Sequence, residues 1–217
     1  MMDVKDNLKA INEEIEAVTA HPPTVIAVTK YVTIDRAQEA YDAGLRHFGE
    51  NRIEGFLEKK AALPQDATFH FIGSLQTRKV KEVINEVDYL HSLDRQSLAD
   101  EIEKRAVHTI RCFVQVNVAG EDSKHGFAPE EVMSFVEGLK DFEKIEVVGL
   151  MTMAPHIEDQ TQLRTYFAEL KRLQQKIAAL GQLNAPCTEL SMGMSNDYLS
   201  AISEGSTFIR IGTKLVG

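Results

Sequence analysis

The sequence predicts an α/β protein: a single (β/α)8 TIM barrel over residues 1–217, with an extra N-terminal helix. Three observations predict it. Eight short apolar segments rich in Val, Ile, Phe and Thr alternate with helix-like segments, and such alternation means a parallel sheet with helical crossovers. Several of these segments are apolar throughout, as strands covered on both faces should be. No Gly/Ser linker or shift in composition divides the 217 residues, so eight units close into one barrel. An open doubly wound sheet is the alternative. It lacks support, because no Gly-x-Gly-x-x-Gly follows the first strand.

The first element is helical. Val4, Leu8, Ile11, Ile15 and Val18 recur at alternating steps of four and three, one face of a helix. His21-Pro22-Pro23 stops it. This helix stands in for one after the eighth strand. Strands are predicted at 24–30, 46–49, 68–73, 88–93, 110–118, 146–151, 188–191 and 207–212. Thr33 caps a helix through Tyr41, and Gly44 suits its end. Pro129-Glu130-Glu131 opens another, with Val132, Phe135, Val136 and Leu139 inward. The longest spans about 158–180, its stripe running from Leu163 through Phe167 and Leu170 to Ile177, and Gly181 ends it. Ser195 or Asn196 caps a last short helix that Gly205 closes.

Composition narrows the function. A formal net charge of −9 argues against nucleic acid or an anionic membrane as partner, since both reward clustered Lys and Arg. Cys112 and Cys187 match no zinc or redox spacing and read as reduced thiols. No metal site is expected, because the seven histidines are scattered. The N-terminus lacks a signal-peptide core, and no run reaches the ~18 apolar residues of a membrane span. The expectation is a cytoplasmic protein.

Chemistry in a barrel sits at the carboxyl ends of the strands. Lys30 closes the first strand and Arg210-Ile211-Gly212-Thr213 closes the last. In a closed barrel these strands are neighbours. An amine then lies beside a guanidinium and a phosphate-sized Gly-Thr turn, which suggests a phosphorylated aldehyde held as a Schiff base. A lysine in a partly dry setting gives up its proton more readily, which frees the amine to attack an aldehyde; an ion-paired strand-end lysine is the plainer reading. Ser191-Met192-Gly193-Met194-Ser195 leads into a helix, where backbone N–H groups and hydroxyls can hold an anion. Arg210 keeps its proton. Set against a pyridine nitrogen it would leave that nitrogen unprotonated and the ring a weak electron sink. Asn51 either contacts a ligand hydroxyl or caps the next helix. His70 reads as a satisfied core histidine, and Arg78-Lys79-Val80-Lys81 as a solvated helix face. Ser123-Lys124-His125-Gly126 is a basic turn that could take a second anion near Lys124, with a solvated turn the plainer reading.

Six ordered motifs then stand together: Ala27-Val28-Thr29-Lys30, Phe48-Gly49-Glu50-Asn51, His70-Phe71-Ile72-Gly73-x-Leu75-Gln76, Gly149-Leu150-Met151, Leu190-Ser191-Met192-Gly193-Met194-Ser195 and Arg210-Ile211-Gly212-Thr213. They resemble the pyridoxal-phosphate homeostasis protein family, the proline-synthase-co-transcribed type, over nearly the whole chain. The resemblance implies a barrel like the N-terminal domain of alanine racemase. It implies pyridoxal 5′-phosphate (PLP) as cofactor, carried on Lys30 as a Schiff base. Ser191, Met192, Gly193, Ser195, Gly212 and Thr213 would hold the phosphate, Arg210 would face the pyridine nitrogen, and Asn51 would join the cofactor contacts. Two departures stand out. Arg78 replaces a common Asn, and the chain stops at Leu215-Val216-Gly217, where relatives extend further.

Three functions follow as expectations. The first is a monomeric PLP-binding protein serving PLP and amino-acid/keto-acid homeostasis, with PLP-dependent apoenzymes as partners and no catalytic residues. The second is a PLP-dependent racemase or decarboxylase of small amino acids. The third is a Schiff-base aldolase acting on a phosphorylated sugar.

Overall fold

The structure is a computed structural model and describes residues 3–121 and 125–217. Lys124, named above for a second anion site, lies outside the described residues. Eight parallel strands close into a barrel in sequence order: β1 (Thr24–Val28), β2 (His47–Glu50), β3 (Thr68–Phe71), β4 (Tyr89–Leu93), β5 (Ile110–Gln115), β6 (Ile145–Met151), β7 (Glu189–Met194) and β8 (Phe208–Ile211). The predicted fold is the one observed. Around the barrel run α1 (Val4–Glu16), α2 (Ile34–Asp42), α3 (Ile53–Ala62), α4 (Val80–Val83), α5 (Gln96–Arg105), α6 (Pro129–Gly138), α7 (Gln160–Ala178), α8 (Tyr198–Ser203) and α9 (Thr213–Val216).

The helix boundaries follow local chemistry. The Thr33 side chain accepts from the Arg36 N–H at 3.2 Å and starts α2. Asp159 accepts from Thr161 and Gln162 and starts α7. Pro129 sits at the first position of α6, with the Ala128 N–H donating to Glu131 at 3.0 Å. The short helix before β8 differs from expectation: α8 is preceded by Asp197, not by Ser195 or Asn196. The cause is β7, which runs on to Met194. Val18 also departs from its predicted face, being exposed beyond the end of α1. Val80, read as part of a solvated face, is fully buried at the start of α4.

Alternation along the strands sorts side chains into two cores. The larger lies between strands and helices and takes Ala27, Phe48, Phe69, Leu90, Cys112 and Ile209. The smaller fills the barrel with Ile26, Phe113, Val148, Met151 and Phe208. Gly149 lets β6 and β7 approach. A Cβ there would lie 2.0 Å from the Glu189 carbonyl oxygen, and backbone cannot yield as a side chain would. Gly149→Ala is expected to cost about 3 kcal/mol, the upper end of overpacking. Urea denaturation measures it, and a loss under about 1 kcal/mol would show that the strands can part.

The outer ring closes through α1, which packs against α2, α8 and α9. A short helix therefore does follow β8, and α1 covers it. The Asn7 side chain donates to the Leu215 carbonyl at 3.0 Å, and Lys214 donates to Glu14 at 2.6 Å. No helix among the described residues is long and apolar enough to cross a membrane.

Candidate functional site

A cavity of about 410 Å³ opens at the carboxyl ends of the strands. That volume lies within the range of small-molecule sites. Lys30 and Asn51 line it from the turns after β1 and β2, Gly73 and Ser74 from the turn after β3, and Gln115 from β5. Met194, Ser195 and Asn196 close another side, with Arg210, Gly212 and Thr213 from β8 and its turn. A larger groove of about 860 Å³ lies beside Arg36, Glu39 and Val216 on α2 and α9. It shares no lining residue with the first cavity, and none of the strand-end polar groups named above lines it. The smaller cavity is therefore the candidate site.

Barrel closure brings the two predicted cations together. β1 pairs with β8 in a register that sets Ile26 opposite Arg210 and Ala27 opposite Ile211. Lys30 follows β1 by two residues. It is exposed, its Nζ 4.8 Å from the centroid of the Tyr31 ring. The partly dry lysine expected from the sequence is not what the fold builds, because β1 ends at Val28 and Lys30 sits in the open turn beyond it. Arg210 is the opposite case. It is 4% exposed, and burial lowers its pKa to about 10, with Asp197 pulling the other way. Its Nη2 donates to the Thr152 carbonyl at 2.9 Å, and its Nη1 donates to Ser191 Oγ.

The phosphate set predicted from the sequence divides. Ser195, Gly212 and Thr213 line the cavity, and the Gly212 N–H donates to Ser195 Oγ at 3.3 Å. Ser191, Met192 and Gly193 do not line it. Ser191 is fully buried beneath Arg210, and Met192 packs in the outer core. Gly193 has φ +98°, and a Cβ there would meet the Ala201 Cβ at 2.8 Å and the Tyr198 Cα at 2.9 Å. Its task is the close approach of β7 to α8. The physical reason for the division is that β7 extends three residues beyond its predicted end, which draws this segment into the barrel wall.

A second group of residues holds the Lys30 turn in place. Thr29 Oγ1 donates to Glu50 Oε1 at 2.6 Å. Lys59 Nζ, from α3, donates to the same oxygen at 2.7 Å and to the Thr29 carbonyl at 2.7 Å. The ion pair is dry, with side chains 7% and 1% exposed. Glu50 stands among the strand-end residues, but nothing in the sequence marked Lys59, which looks like any lysine of an amphipathic helix. Only its nine-residue offset from Glu50, one strand and one helix onset, hints at the pairing.

The site's donors suit a phosphorylated aldehyde. An amine stands at the rim, a charged guanidinium on one wall, and hydroxyls and a backbone N–H at the Gly212 turn. Lys30 and Arg210 are the only titratable side chains among the described residues that line it.

Residues 3–217 match the alanine racemase N-terminal domain family. The pyridoxal phosphate homeostasis protein of Aquifex aeolicus is 41% identical over 197 residues, covering 89% of this chain and 86% of that one. A crystal structure of an unknown protein from Bifidobacterium adolescentis superposes with a TM-score of 0.93 at 33% identity, over 98% of this chain and 94% of that one. PipY of Synechococcus elongatus PCC7942, solved with PLP bound, superposes with a TM-score of 0.87 at 30% identity, over 99% of this chain and 100% of that one. With its barrel, its strand-end motifs and these relatives in agreement, the chain belongs to the pyridoxal phosphate homeostasis protein family.

Proposed function

We propose that this chain binds PLP in the strand-end cavity and serves intracellular PLP homeostasis without catalysing a reaction of its own. The observation that carries the reading is the pairing of a lysine amine and a buried guanidinium across one cavity. Lys30 would hold the cofactor's aldehyde through its amine. Ser195, Gly212 and Thr213 would receive the phosphate, Asn51 would contact the ring substituents, and Arg210 would face the pyridine nitrogen. When bound, the cofactor supplies an electrophilic carbon joined to a conjugated ring.

The chain's own residues favour holding over turnover. Arg210 can only donate, so it leaves the pyridine nitrogen unprotonated and weakens the ring as an electron sink. A racemase needs a second acid/base group across the ring, and no histidine, cysteine, tyrosine or carboxylate lines this cavity among the described residues. Lys30 is exposed at an open mouth, which excludes water poorly and suits exchange with apoenzymes that need the cofactor.

The test is spectroscopic. Protein mixed with PLP is expected to show a near-visible band, and borohydride reduction followed by peptide mapping should place the adduct on Lys30. A panel of small amino acids should give no turnover. An adduct on another lysine, or no band at all, overturns the site. Turnover that Lys30→Ala abolishes overturns the non-catalytic reading and leaves the racemase or decarboxylase.

A further inference from the structure

Below Arg210 the barrel interior holds an unbroken row of polar side chains. Ser191 Oγ lies 2.8 Å from His91 Nδ1, His91 Nε2 lies 2.8 Å from His70 Nδ1, and His70 Nε2 lies 2.9 Å from His47 Nδ1. The four residues come from four strands: β7, β4, β3 and β2. Ser191, His91 and His70 have essentially no exposure, and His47, at the amino end of β2, is partly exposed. Aromatic rings seal the row. Tyr89 stacks on His70 at 4.6 Å, Phe113 stacks on His91 at 4.4 Å, and Phe208 contacts both His47 and His70.

The row has a direction that Arg210 sets. A guanidinium has no acceptor, so Arg210 Nη1 must donate to Ser191 Oγ. The hydroxyl then has its own hydrogen to place, and His91 Nδ1 is the acceptor in reach. A neutral imidazole accepting at Nδ1 carries its hydrogen on Nε2. His91 therefore donates to His70 Nδ1, and by the same step His70 donates to His47 Nδ1. The opposite order would leave the Ser191 hydrogen without a partner in a dry interior. We propose that Ser191, His91, His70 and His47 form one directed hydrogen-bonded chain that positions the Arg210 guanidinium and couples it to protonation of His47 at the opposite end of the barrel.

The coupling follows from donor count. Protonated His47 donates from both ring nitrogens. His70 must then turn a bare Nε2 toward it and carry its hydrogen on Nδ1, and His91 must do the same. One proton has been added, at His47, and each other ring keeps one. The reversal ends at Ser191, which now receives His91 and Arg210 together while its own hydrogen loses its acceptor. The oxygen that fixes Arg210 is then shared with a second donor, and the guanidinium feels the change. The groups facing His47 are His70 from β3, Asp88 and Tyr89 at the start of β4, Arg111 from β5 and the apolar Phe208 from β8. Burial and Arg111 hold His47 below the ordinary imidazole range, against Asp88.

What Arg210 does for a ligand rests on the function proposed above; the chain itself is tested without PLP. Protein labelled with 15N in histidine and arginine, free of cofactor, is measured by NMR from about pH 8 downward through the imidazole range. The expected result is hydrogen on Nε2 of both His70 and His91 at high pH. As His47 titrates, the Arg210 signal should shift with the same midpoint. His47→Gln should remove that shift. Ser191→Ala should uncouple Arg210, and Ser191→Thr, which keeps the hydroxyl, should restore the coupling. Hydrogen on Nδ1 of His91, or an Arg210 signal that stays still while His47 titrates, overturns the proposal. Both readouts come from the unmutated protein, so a variant that fails to fold leaves the test intact. Failure to bind PLP would count against the cofactor reading alone.

Discussion

Lys59→Met is expected to lower stability by about 3–5 kcal/mol, the cost of stranding one member of a buried ion pair. For a chain of this length the melting temperature should fall by roughly 6–20 °C. The size of the effect follows from what is left behind. Glu50 is 1% exposed on its side chain, and without Lys59 its Oε1 keeps, among the described residues, only the Thr29 hydroxyl. The Thr29 carbonyl also loses a donor at 2.7 Å. An exposed pair of the same length would contribute about 0–1 kcal/mol, so a loss in that smaller range would show that water reaches the pair. Adding Glu50→Gln to Lys59→Met should recover much of the loss, because a neutral amide is far cheaper to bury than an unpaired carboxylate. The single variant should also loosen PLP binding if Lys30 anchors the cofactor, since Thr29 is the residue before it. Chemical denaturation of the two variants separates the stability effect, and PLP titration reads the other.

The second large effect is on acid stability. His70 and His91 are fully buried, and burial holds both well below the ordinary imidazole range, helped by His91 for the first and by Arg210 for the second. In the folded protein they stay neutral; in the unfolded chain they take up protons below about pH 6.5. The unfolded state then binds more protons, so stability falls as pH falls. With two such groups the slope is up to about 2.7 kcal/mol per pH unit. The loss begins near the unfolded value and continues until the folded histidines are themselves protonated. Above about pH 7 the contribution is flat. Urea midpoints across this window measure the slope, and His91→Gln should reduce it. A stability that does not change between about pH 6.5 and pH 5.5 would show that the barrel interior tolerates a charged imidazole.

These two predictions rest on contacts that the sequence does not show, for reasons that are physical. The fold was legible because a strand covered on both faces must be apolar almost throughout, and stretches such as Thr24–Val28 and Ile145–Met151 have that character. Strand ends were less legible. Val116 and Val118 are buried like strand residues but lie beyond β5, so hydrophobicity alone extends the strand to 118. The two cations of the site were legible because barrel closure makes the first and last strands neighbours. Which residues of the last two strand ends line the cavity was legible only in part: Ser191 looks like a turn hydroxyl until β7 is known to continue past it. His70 read correctly as a satisfied core histidine, yet its partners could not be named. They come from β2 and β4, and which residues of those strands face inward is settled by register, which no local pattern encodes. Lys59 has the same history, since only the packing of α3 over β2 turns a surface-like lysine inward.

The seam between β1 and β8 carries a consequence for how the protein is made. Lys30 comes from the opening of the chain and Arg210 from its far end, and they share a cavity only because those two strands pair. During synthesis the amine emerges first and waits while seven more strands follow. Until β8 is added, β1 and β7 are bare edges open to wrong partners, and no cavity exists to receive a ligand. The step that seals the wall is also the step that assembles the pocket. A molecule captured there reports that the last strand has joined the wall.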